Sequence, residues 1–289
     1  MQELLRAYRE HDRSYRELKY VYPVVSRRAG GISIGINLSP HKKCNFDCLY
    51  CQVDRSTEGE KIELRTEDLH QELQIMLMLV ESGQLFADPH FGDIPLSLRE
   101  IKDIALSGDG EPTAENCFPE VCQLLADMRT RGEVGEAKFV VITNATRFHR
   151  PNVERGLEIL MAHGGEIWGK LDAGTNAYYH LVDRSNVSLD RVLANLILAS
   201  RRWPIVIQTL FCEIAHEGPS LAEREAYAQR LKDILAAGGQ IKEVQLHTVA
   251  RNPANHKVEA LSKATLEAMA EEFRRKLPLK FNVIGGRAG

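Results

Sequence analysis

Three of the six cysteines in this 289-residue chain lie within the short segment SPHKKCNFDCLYCQVDR, residues 39–55. Cys44, Cys48 and Cys51 follow the spacing CxxxCxxC. Thiolates this close in sequence can surround a small inorganic cluster, and they are the ligands that iron–sulfur clusters select. A four-iron cluster with three protein ligands keeps one open coordination position. The spacing therefore predicts a metal site that can bind a substrate or cofactor directly.

Zinc is an alternative occupant of the same segment. His41 precedes the cysteines, and imidazole together with thiolates makes closed tetrahedral zinc sites. The protein would then be a non-catalytic module whose loop is structural or transfers electrons. The other cysteines, Cys117, Cys122 and Cys212, lack a compact spacing. We expect them to be buried as small apolar residues, with a second cluster involving Cys117 and Cys122 as the alternative.

Composition predicts a cytoplasmic globular protein. The chain is 44% hydrophobic and 27% charged, and its net charge of −3 offers no global attraction for nucleic acid. No run approaches the ~20 apolar residues that cross a membrane, and the first residues lack the apolar centre of a signal peptide. In a reducing compartment, clustered cysteines indicate metal or redox chemistry and not a disulfide framework.

The elements that must position the cysteines are short apolar strands that alternate with amphipathic helices. Six strands are predicted, at residues 31–38, 101–108, 138–144, 166–172, 204–211 and 241–249. Thr66 and Ser262 are predicted N-caps of two helices. The first helix should bury one face, made of Leu69, Leu73, Met76, Leu77 and Val80. The alternation predicts an α/β fold with a parallel sheet and outer helices, undivided by any repeat or linker.

Polar residues and glycines follow these strands at their carboxyl ends, where function sits in parallel α/β sheets. GDGEPT (108–113), TNAT (143–146) and GKLDAGT (169–175) follow the second, third and fourth strands. Gln208 lies near the end of the fifth. His247 and Arg251 follow the sixth and could bind a carboxylate or phosphate. The alternatives are a glycine turn for GDGEPT, a helix cap for Asn144, a turn for Asp172, a core hydrogen bond for His247 and a salt bridge for Arg251.

CxxxCxxC with an aromatic residue, Tyr50, just before the last cysteine resembles the signature of the radical S-adenosylmethionine (SAM) superfamily. The resemblance implies that Cys44, Cys48 and Cys51 bind a [4Fe–4S] cluster whose open iron binds SAM. In that superfamily the reduced cluster cleaves SAM to methionine and a 5′-deoxyadenosyl radical, which abstracts hydrogen from a substrate. A reducing partner such as flavodoxin or ferredoxin is therefore expected.

The resemblance covers most of the chain and implies its architecture. Residues 31–289 should form a partial (β/α)6 TIM-like barrel of parallel strands with outer helices. Residues 1–30 should form an N-terminal helical extension. No membrane association is expected.

The resemblance also assigns residues to SAM. The backbone of Tyr50 should face the adenine. The glycine-glycine-glutamate motif that binds the methionine amino group is represented by Gly108, Asp109, Gly110 and Glu111, with Asp109 interrupting the paired glycines. Contacts to ribose or carboxylate are expected from Thr143, Asn144, Lys170 and Asp172. The candidate catalytic or substrate residues are Gln208, His247 and Arg251.

The run PVVSRRAGGISIGINL (23–38) resembles the iron–sulfur oxidoreductase group related to wyosine-base synthases. Those synthases have extra N-terminal cysteines for a second cluster, and this chain has no cysteine before Cys44. The wyosine reaction is therefore not transferred, and the substrate stays open between RNA, a small metabolite and, for a glycyl-radical activase, a protein. An RNA substrate would need a phosphate-binding patch, for which the candidates are Arg13, Arg16, Lys19, Arg27, Arg28 and Arg251. The alternative for the N-terminal charges is a solvated helix face.

Overall fold

The computed structural model describes residues 15–61, 63–250 and 257–286. Within these ranges the chain forms ten strands and seven α-helices, and eight of the strands belong to one mostly parallel sheet. The α/β class predicted from the sequence is therefore confirmed. Arg13 and Arg251, two candidates for the phosphate patch, lie outside the described residues.

All six predicted strands form, and four more accompany them. In chain order the strands are β1 (Val21–Ser26), β2 (Gly31–Ile36), β3 (Ile101–Leu106), β4 (Lys138–Thr143), β5 (Gly165–Lys170), β6 (Ile205–Leu210), β7 (Cys212–Ile214), β8 (Ile241–His247), β9 (Val258–Ala260) and β10 (Phe281–Ile284). The helices are α1 (Thr66–Glu81), α2 (Phe118–Thr130), α3 (Pro151–Ala162), α4 (Asn176–Val182), α5 (Leu189–Arg202), α6 (Leu221–Ala236) and α7 (Lys263–Lys276). Among the described helices, none is long and apolar enough to cross a bilayer.

The chain divides into two compact units. The first comprises Met1–Cys44, Arg55–Ile142 and Arg150–Glu166, and the second comprises Asn45–Asp54, Thr143–His149 and Ile167–Gly289. In the first unit β2 pairs in parallel with β3, and β3 with β4. In the second unit β5 pairs in parallel with β6, β6 with β8, and β8 with β10. Each unit therefore has parallel strand ends at which loops can place functional side chains.

Strand β1 corrects the prediction of a helical extension over residues 1–30. Val21–Ser26 pairs antiparallel with β2, from Val21 opposite Ile36 to Ser26 opposite Gly31. Its sequence VYPVVS is rich in β-branched and aromatic residues, which fit a pleated, buried surface, and five of its six residues are buried. The charged residues before it suggest a helix, and this signal masks the strand. Residues 1–14 are not described, so the helix there stays a prediction.

The position of Arg27 and Arg28, two candidates for the phosphate patch, lies away from the cysteines along β2. Both residues lie in the turn between β1 and β2, at the amino end of β2. The cysteines follow the carboxyl end of the same strand, and six residues of strand span about 20 Å. Burial lowers the pKa of Arg28, and the nearby buried carboxylate of Asp103 attracts its guanidinium. The structure therefore places these two arginines at the opposite end of β2 from the cysteines, and a phosphate patch that includes them stays a prediction.

The predicted helix faces are largely as expected. The apolar face of α1 is buried, but its N-cap is Arg65, so Thr66 is its first residue and not its cap. Ser262 caps α7 by accepting a hydrogen bond from the Thr265 amide at 3.0 Å.

Of the cysteines outside the cluster motif, Cys122 and Cys212 are buried and Cys117 is half-buried. The apolar role predicted for them is thus confirmed for the two buried thiols.

A buried carboxylate anchors the amino-terminal end of β1. Glu72 of α1 accepts hydrogen bonds from the backbone amides of Lys19, Tyr20 and Val21, at 2.9, 2.8 and 3.1 Å. Two of these bonds are fully buried. Buried backbone donors need partners, so this carboxylate fixes the path of the chain into the first unit.

We therefore expect Glu72→Ala to destabilise the protein by about 3 kcal/mol, because it leaves backbone amides without an acceptor. Urea unfolding would measure the change in the free energy of unfolding. Glu81→Ala, an exposed change on the same helix, is the matched control and should stay within about 0.5 kcal/mol of wild type. Equal destabilisation by both substitutions would contradict the anchoring role of Glu72.

Candidate functional site

Residues 39–55, which we call the cysteine loop, contain no helix or strand. They follow β2 and include Cys44, Cys48 and Cys51. The structure forms no disulfide among the six cysteines, all of which are described. Because the loop lacks a regular backbone hydrogen-bond pattern, side chains from other elements must fix it.

In the first unit, the GDGEPT turn packs against the entrance to the cysteine loop. A Cβ atom on Gly110 would lie 2.3 Å from the carbonyl oxygen of Lys43, the residue before Cys44. A Cβ on Gly108, whose φ is +149°, would lie 2.4 Å from Oδ1 of Asn37. Both glycines therefore permit a close approach of the turn to the chain that leads into the cysteines.

Asp109, which interrupts the glycine pair, has a structural partner. Its carboxylate accepts a hydrogen bond from Nδ2 of Asn37 at 2.7 Å, and its amide donates to Oδ1 of Asn37 at 3.1 Å. Arg55, at the far end of the cysteine loop, donates to the Asp109 carbonyl at 3.2 Å and to the Lys42 carbonyl at 3.1 Å. These bonds join the turn to the chain before the loop and to the far end of the loop, and the bond from Asn37 Nδ2 is the one that uses the aspartate side chain.

Glu111, the expected partner of the methionine amino group, caps its own turn. Its Oε1 accepts hydrogen bonds from the amide of Thr113 at 3.1 Å and from the hydroxyl of Thr113 at 2.5 Å. The side chain is buried. One carboxylate oxygen of Glu111 is therefore engaged inside the protein.

His41, the candidate fourth zinc ligand, has protein partners at both ring nitrogens. Nδ1 accepts a hydrogen bond from the Lys43 amide at 3.0 Å, which makes Nε2 the protonated nitrogen. Nε2 donates toward Glu115 at 3.2 Å. Ser39 donates to the same carboxylate at 2.6 Å. The imidazole thus fixes the loop entrance, and this arrangement disfavours its use as a zinc ligand.

In the second unit, the TNAT turn fixes the loop just after Cys44. Asn144 donates to Oδ1 of Asn45 at 2.8 Å, and Asn45 donates to the hydroxyl of Thr146 at 2.7 Å. Ala145 has a left-handed backbone with φ of 61°, and its carbonyl accepts a hydrogen bond from Asn195 of α5 at 2.7 Å. Thr143 accepts from the Ala145 amide at 3.0 Å. The polar groups of TNAT therefore serve first to position the loop.

The end of α4 pairs with the loop backbone around Cys48. The amide of Asp47 donates to the Asp183 carbonyl at 3.2 Å, and the amide of Leu49 donates to the Val182 carbonyl at 2.7 Å. A tight turn follows, in which the Cys51 amide donates to the Cys48 carbonyl at 2.9 Å. The backbone between the last two cysteines is therefore well defined.

A buried group of charges surrounds the Cys48 thiol. Lys170, the last residue of β5, donates to Cys48 Sγ at 3.2 Å. Its ammonium also lies 3.3 Å from Asp172 Oδ2 and 3.9 Å from Asp183 Oδ1. The Asp172 and Asp183 side chains are 0% and 2% exposed, so these charges are paired within the protein. We call Cys48, Lys170, Asp172 and Asp183 the charged cluster.

Burial and charge shift the pKa values of this cluster. Burial raises the pKa of the Cys48 thiol to about 12, although the Lys170 ammonium lowers it. Burial lowers the pKa of Lys170, but the attraction of Cys48, Asp172 and Asp183 outweighs this and raises it well above its ordinary value. Burial and the neighbouring Asp172 raise the pKa of Asp183. Lys170 therefore remains protonated at neutral pH.

Tyr50 belongs to the same group. Its hydroxyl donates a short hydrogen bond to Asp172 Oδ2, and burial raises the pKa of the phenol well above 10.0. The other oxygen of Asp172 accepts from the Leu210 amide at 2.8 Å, at the end of β6. Because the Tyr50 side chain points to this partner, its backbone is the part that a cofactor could contact.

Asp183 is a site residue that the sequence did not identify. It lies 135 residues from Cys48, whose Sγ is 3.8 Å from its Oδ1. In the sequence it only ends the run YYHLVD, and nothing local distinguishes it from a helix-terminal aspartate. The one available signal was its position, as an acidic residue that ends an apolar run after a predicted site strand.

Gln208 and His247 both contact Gln245 of β8. Gln208 is buried and donates to Gln245 on β8 at 3.0 Å. The Nδ1 atom of His247 lies 3.4 Å from the Gln245 carbonyl. The roles of both residues toward a substrate stay predictions.

An apolar core lies beside Cys48 in the second unit. Its buried members are Leu49, Tyr50, Val182, Leu210, Cys212, Val249 and Val258. Cys48 and Tyr178 pack against it. The Tyr178 hydroxyl is buried and, within the described part of the chain, has no hydrogen-bond partner. Buried hydroxyls ordinarily have partners, so this one fits a site that accepts a polar ligand.

No protein-family model matches this sequence. Over 264 residues the chain is 26% identical to the protein named GTPase Obg of Brachyspira hyodysenteriae. This alignment covers 90% of this chain and 34% of that protein. Over 139 residues it is 27% identical to a UPF0026 protein of Helicobacter pylori. This second alignment covers 47% of this chain and 38% of that protein. The chain thus spans little more than a third of the length of these relatives. It contains no GxxxxGK[ST] phosphate-binding loop.

Solved structures with the same fold are radical SAM enzymes. A radical SAM methyltransferase from Sphaerobacter thermophilus matches with a TM-score of 0.58 and 13% identity, covering 91% of this chain and 68% of its own. SuiB of Streptococcus suis, bound to S-adenosylmethionine, matches with a TM-score of 0.54 and 14% identity. The match covers 85% of this chain and 46% of SuiB. TYW1 with a lysine–pyruvate adduct bound matches with a TM-score of 0.54 and 13% identity. The match covers 84% of this chain and 73% of the TYW1 chain. The chain therefore shares the partial TIM-like barrel fold of these structures, which confirms the predicted fold class and agrees with the predicted resemblance.

The close approach of Gly110 to the loop entrance leads to a prediction. Gly110→Ala should destabilise the protein by about 2 kcal/mol, because the added methyl group collides with the Lys43 carbonyl and Ser39. The measurement is the free energy of unfolding in urea.

The matched control is Gly92→Ala, where the nearest atoms to an added Cβ lie at 3.5 and 3.6 Å. It should stay within about 1 kcal/mol of wild type. If Gly110→Ala is as well tolerated as Gly92→Ala, the turn does not pack against the loop as described.

Proposed function

We propose that this chain is a radical SAM enzyme in which Cys44, Cys48 and Cys51 bind one [4Fe–4S] cluster and SAM. The observation that supports this most strongly is the three-cysteine loop, which lies at the carboxyl end of β2 in a fold shared with radical SAM enzymes. A likeness of fold alone does not define a reaction. The donor set of the loop supplies the chemical argument.

The side chains of the loop fit an iron–sulfur cluster better than zinc. Three thiolates suit iron–sulfur chemistry and leave one metal position for a cofactor. A closed zinc site would need a fourth ligand, and the nearest candidate, His41, already pairs with Lys43 and Glu115. The metal-binding module is therefore the weaker alternative.

When bound, the reduced cluster and SAM would supply a 5′-deoxyadenosyl radical, which abstracts a hydrogen atom from the substrate. The protein would position the cofactor and substrate and exclude water from them. Cys44, Cys48 and Cys51 provide the ligands. The turn at residues 108–111 fixes the chain that leads into Cys44, and the buried Tyr178 hydroxyl offers an unused hydrogen-bonding group at the apolar core against which Cys48 also packs.

The proposal includes an electron donor and leaves the substrate class to experiment. A one-electron protein donor of the flavodoxin or ferredoxin type would reduce the cluster. Without Arg27 and Arg28 near the loop, an RNA substrate has less support than the sequence suggested, and a small metabolite is the leading alternative. A glycyl-radical activase, which would act on a protein, remains a second candidate within the same class of enzyme.

The direct test is metal content after anaerobic reconstitution. Wild-type protein should bind about four irons per chain and form 5′-deoxyadenosine when SAM and dithionite are added. Cys48→Ser should lose most of the iron and all cleavage, because one ligand is gone. Iron, sulfide and nucleoside are measured on the same preparations.

Cys117→Ser is the matched control, since Cys117 is half-buried and outside the loop. It should retain wild-type iron and cleavage. Stoichiometric zinc in place of iron, or a Cys48→Ser variant with full iron and cleavage, would refute the proposal. About eight irons per chain, reduced to about four by replacing Cys117, Cys122 and Cys212, would show a second cluster instead of one.

A further inference from the structure

The Lys170 ammonium occupies a fixed position beside Cys48. Its side chain is 23% exposed, and it extends from the last residue of β5 into the charged cluster. The nitrogen lies 4.5 Å from the centre of the Tyr50 ring and 5.8 Å from that of Phe46. Two carboxylates and two aromatic rings therefore surround the cation, which stabilises its charge at this point.

The Lys170 ammonium has two polar partners within hydrogen-bond distance and a third at ion-pair distance. An ammonium has three N–H bonds. Three polar groups lie around it: Cys48 Sγ at 3.2 Å, Asp172 Oδ2 at 3.3 Å and Asp183 Oδ1 at 3.9 Å. A contact from Lys170 to a cofactor carboxylate would compete with these interactions. The sulfur is the nearest of the three.

A cation that donates to a ligand sulfur changes the electronic balance of an iron–sulfur centre. Hydrogen bonds to the sulfurs, net charge and solvent exposure set the reduction potential of such clusters. Reduction adds one negative charge, which is shared by the sulfurs. A fixed positive charge 3.2 Å from one sulfur therefore favours the reduced state.

We propose that Lys170 is a positioning residue that donates a charge-assisted N–H···S hydrogen bond to Cys48 and thereby raises the reduction potential of the cluster. This inference rests on the proposed function, since it needs the cluster at Cys48. Asp172 and Asp183 act indirectly, because they orient the ammonium. The step it affects is the transfer of one electron from the flavodoxin or ferredoxin type of donor to the cluster, with no proton transferred.

The test is a redox titration of the reconstituted cluster, followed by electron paramagnetic resonance. Lys170→Met keeps the length of the side chain and removes its charge and donors. At a fixed potential near the midpoint, we expect its ratio of reduced to oxidised cluster to fall about tenfold, a shift of about 59 mV for a one-electron couple. Lys170→Arg, which keeps a charged donor, should shift the ratio less.

A double variant separates the hydrogen bond from the charge and guards against misfolding. Lys170→Met alone leaves two buried carboxylates without their cation, which can prevent folding. Lys170→Met with Asp183→Asn removes one charge of each sign, so a remaining fall in the ratio reports the lost N–H···S bond. The matched control is Lys138→Met, which removes a lysine whose ammonium pairs with Glu166 at 3.0 Å and should leave the potential unchanged.

The outcomes distinguish this inference from the function on which it rests. If wild-type protein forms no cluster, the proposed function fails and this inference fails with it. If wild type and the Lys170 variants all form the cluster at the same potential, the function stands and the inference is overturned. An unchanged potential with weaker SAM binding in Lys170→Met would also overturn it and assign Lys170 to the cofactor. A tenfold fall in Lys170→Met, with Lys138→Met unchanged, supports it.

Discussion

The structure depends on one constraint: seventeen residues that contain the three clustered cysteines form no helix or strand, so their shape must come from other parts of the chain. In the first unit, Glu115 and the GDGEPT turn fix the entrance to the loop. In the second unit, the TNAT turn and the end of α4 fix the residues that follow. Each support comes from the carboxyl end of a strand or from a helix terminus. In each unit the part of the loop that carries cysteines thereby has its own supports, which a catalytic metal site requires.

Charge is the second feature that organises the site. Two buried carboxylates and a cysteine would repel one another if they were all ionised, and the Lys170 ammonium makes their burial tolerable. The same cation reaches Cys48 because β5 ends at Lys170 and β6 ends beside Asp172, whose carboxylate accepts the Leu210 amide. Parallel pairing of these strands therefore places opposite charges next to Cys48. The fold thus provides both the loop supports and the local electrostatics.

The sequence predicted the elements well because β-branched runs and helix periodicity are local signals. All six expected strands form, and the buried face of α1 is as predicted. Contacts between residues that are far apart in the sequence could not be predicted from local signals. Cys48 and Asp183, for example, are 135 residues apart. The glycines of GDGEPT were identified from the sequence, but their close packing against Asn37 and Lys43 was not. Strand β1 was missed because adjacent charged residues imitate a solvated helix. Local patterns therefore located the candidate site, and only the fold could assign its partners.

The central claim is that the cysteine loop binds a cluster whose open iron takes SAM. Paramagnetic resonance of the anaerobically reconstituted, dithionite-reduced protein, recorded with and without SAM, tests it most directly. A cofactor that binds the iron changes the electronic environment of the whole cluster. The account predicts a reduced [4Fe–4S] signal whose g-values change when SAM is added. A cluster signal that SAM leaves unchanged, or a reduced protein without any cluster signal, would contradict it.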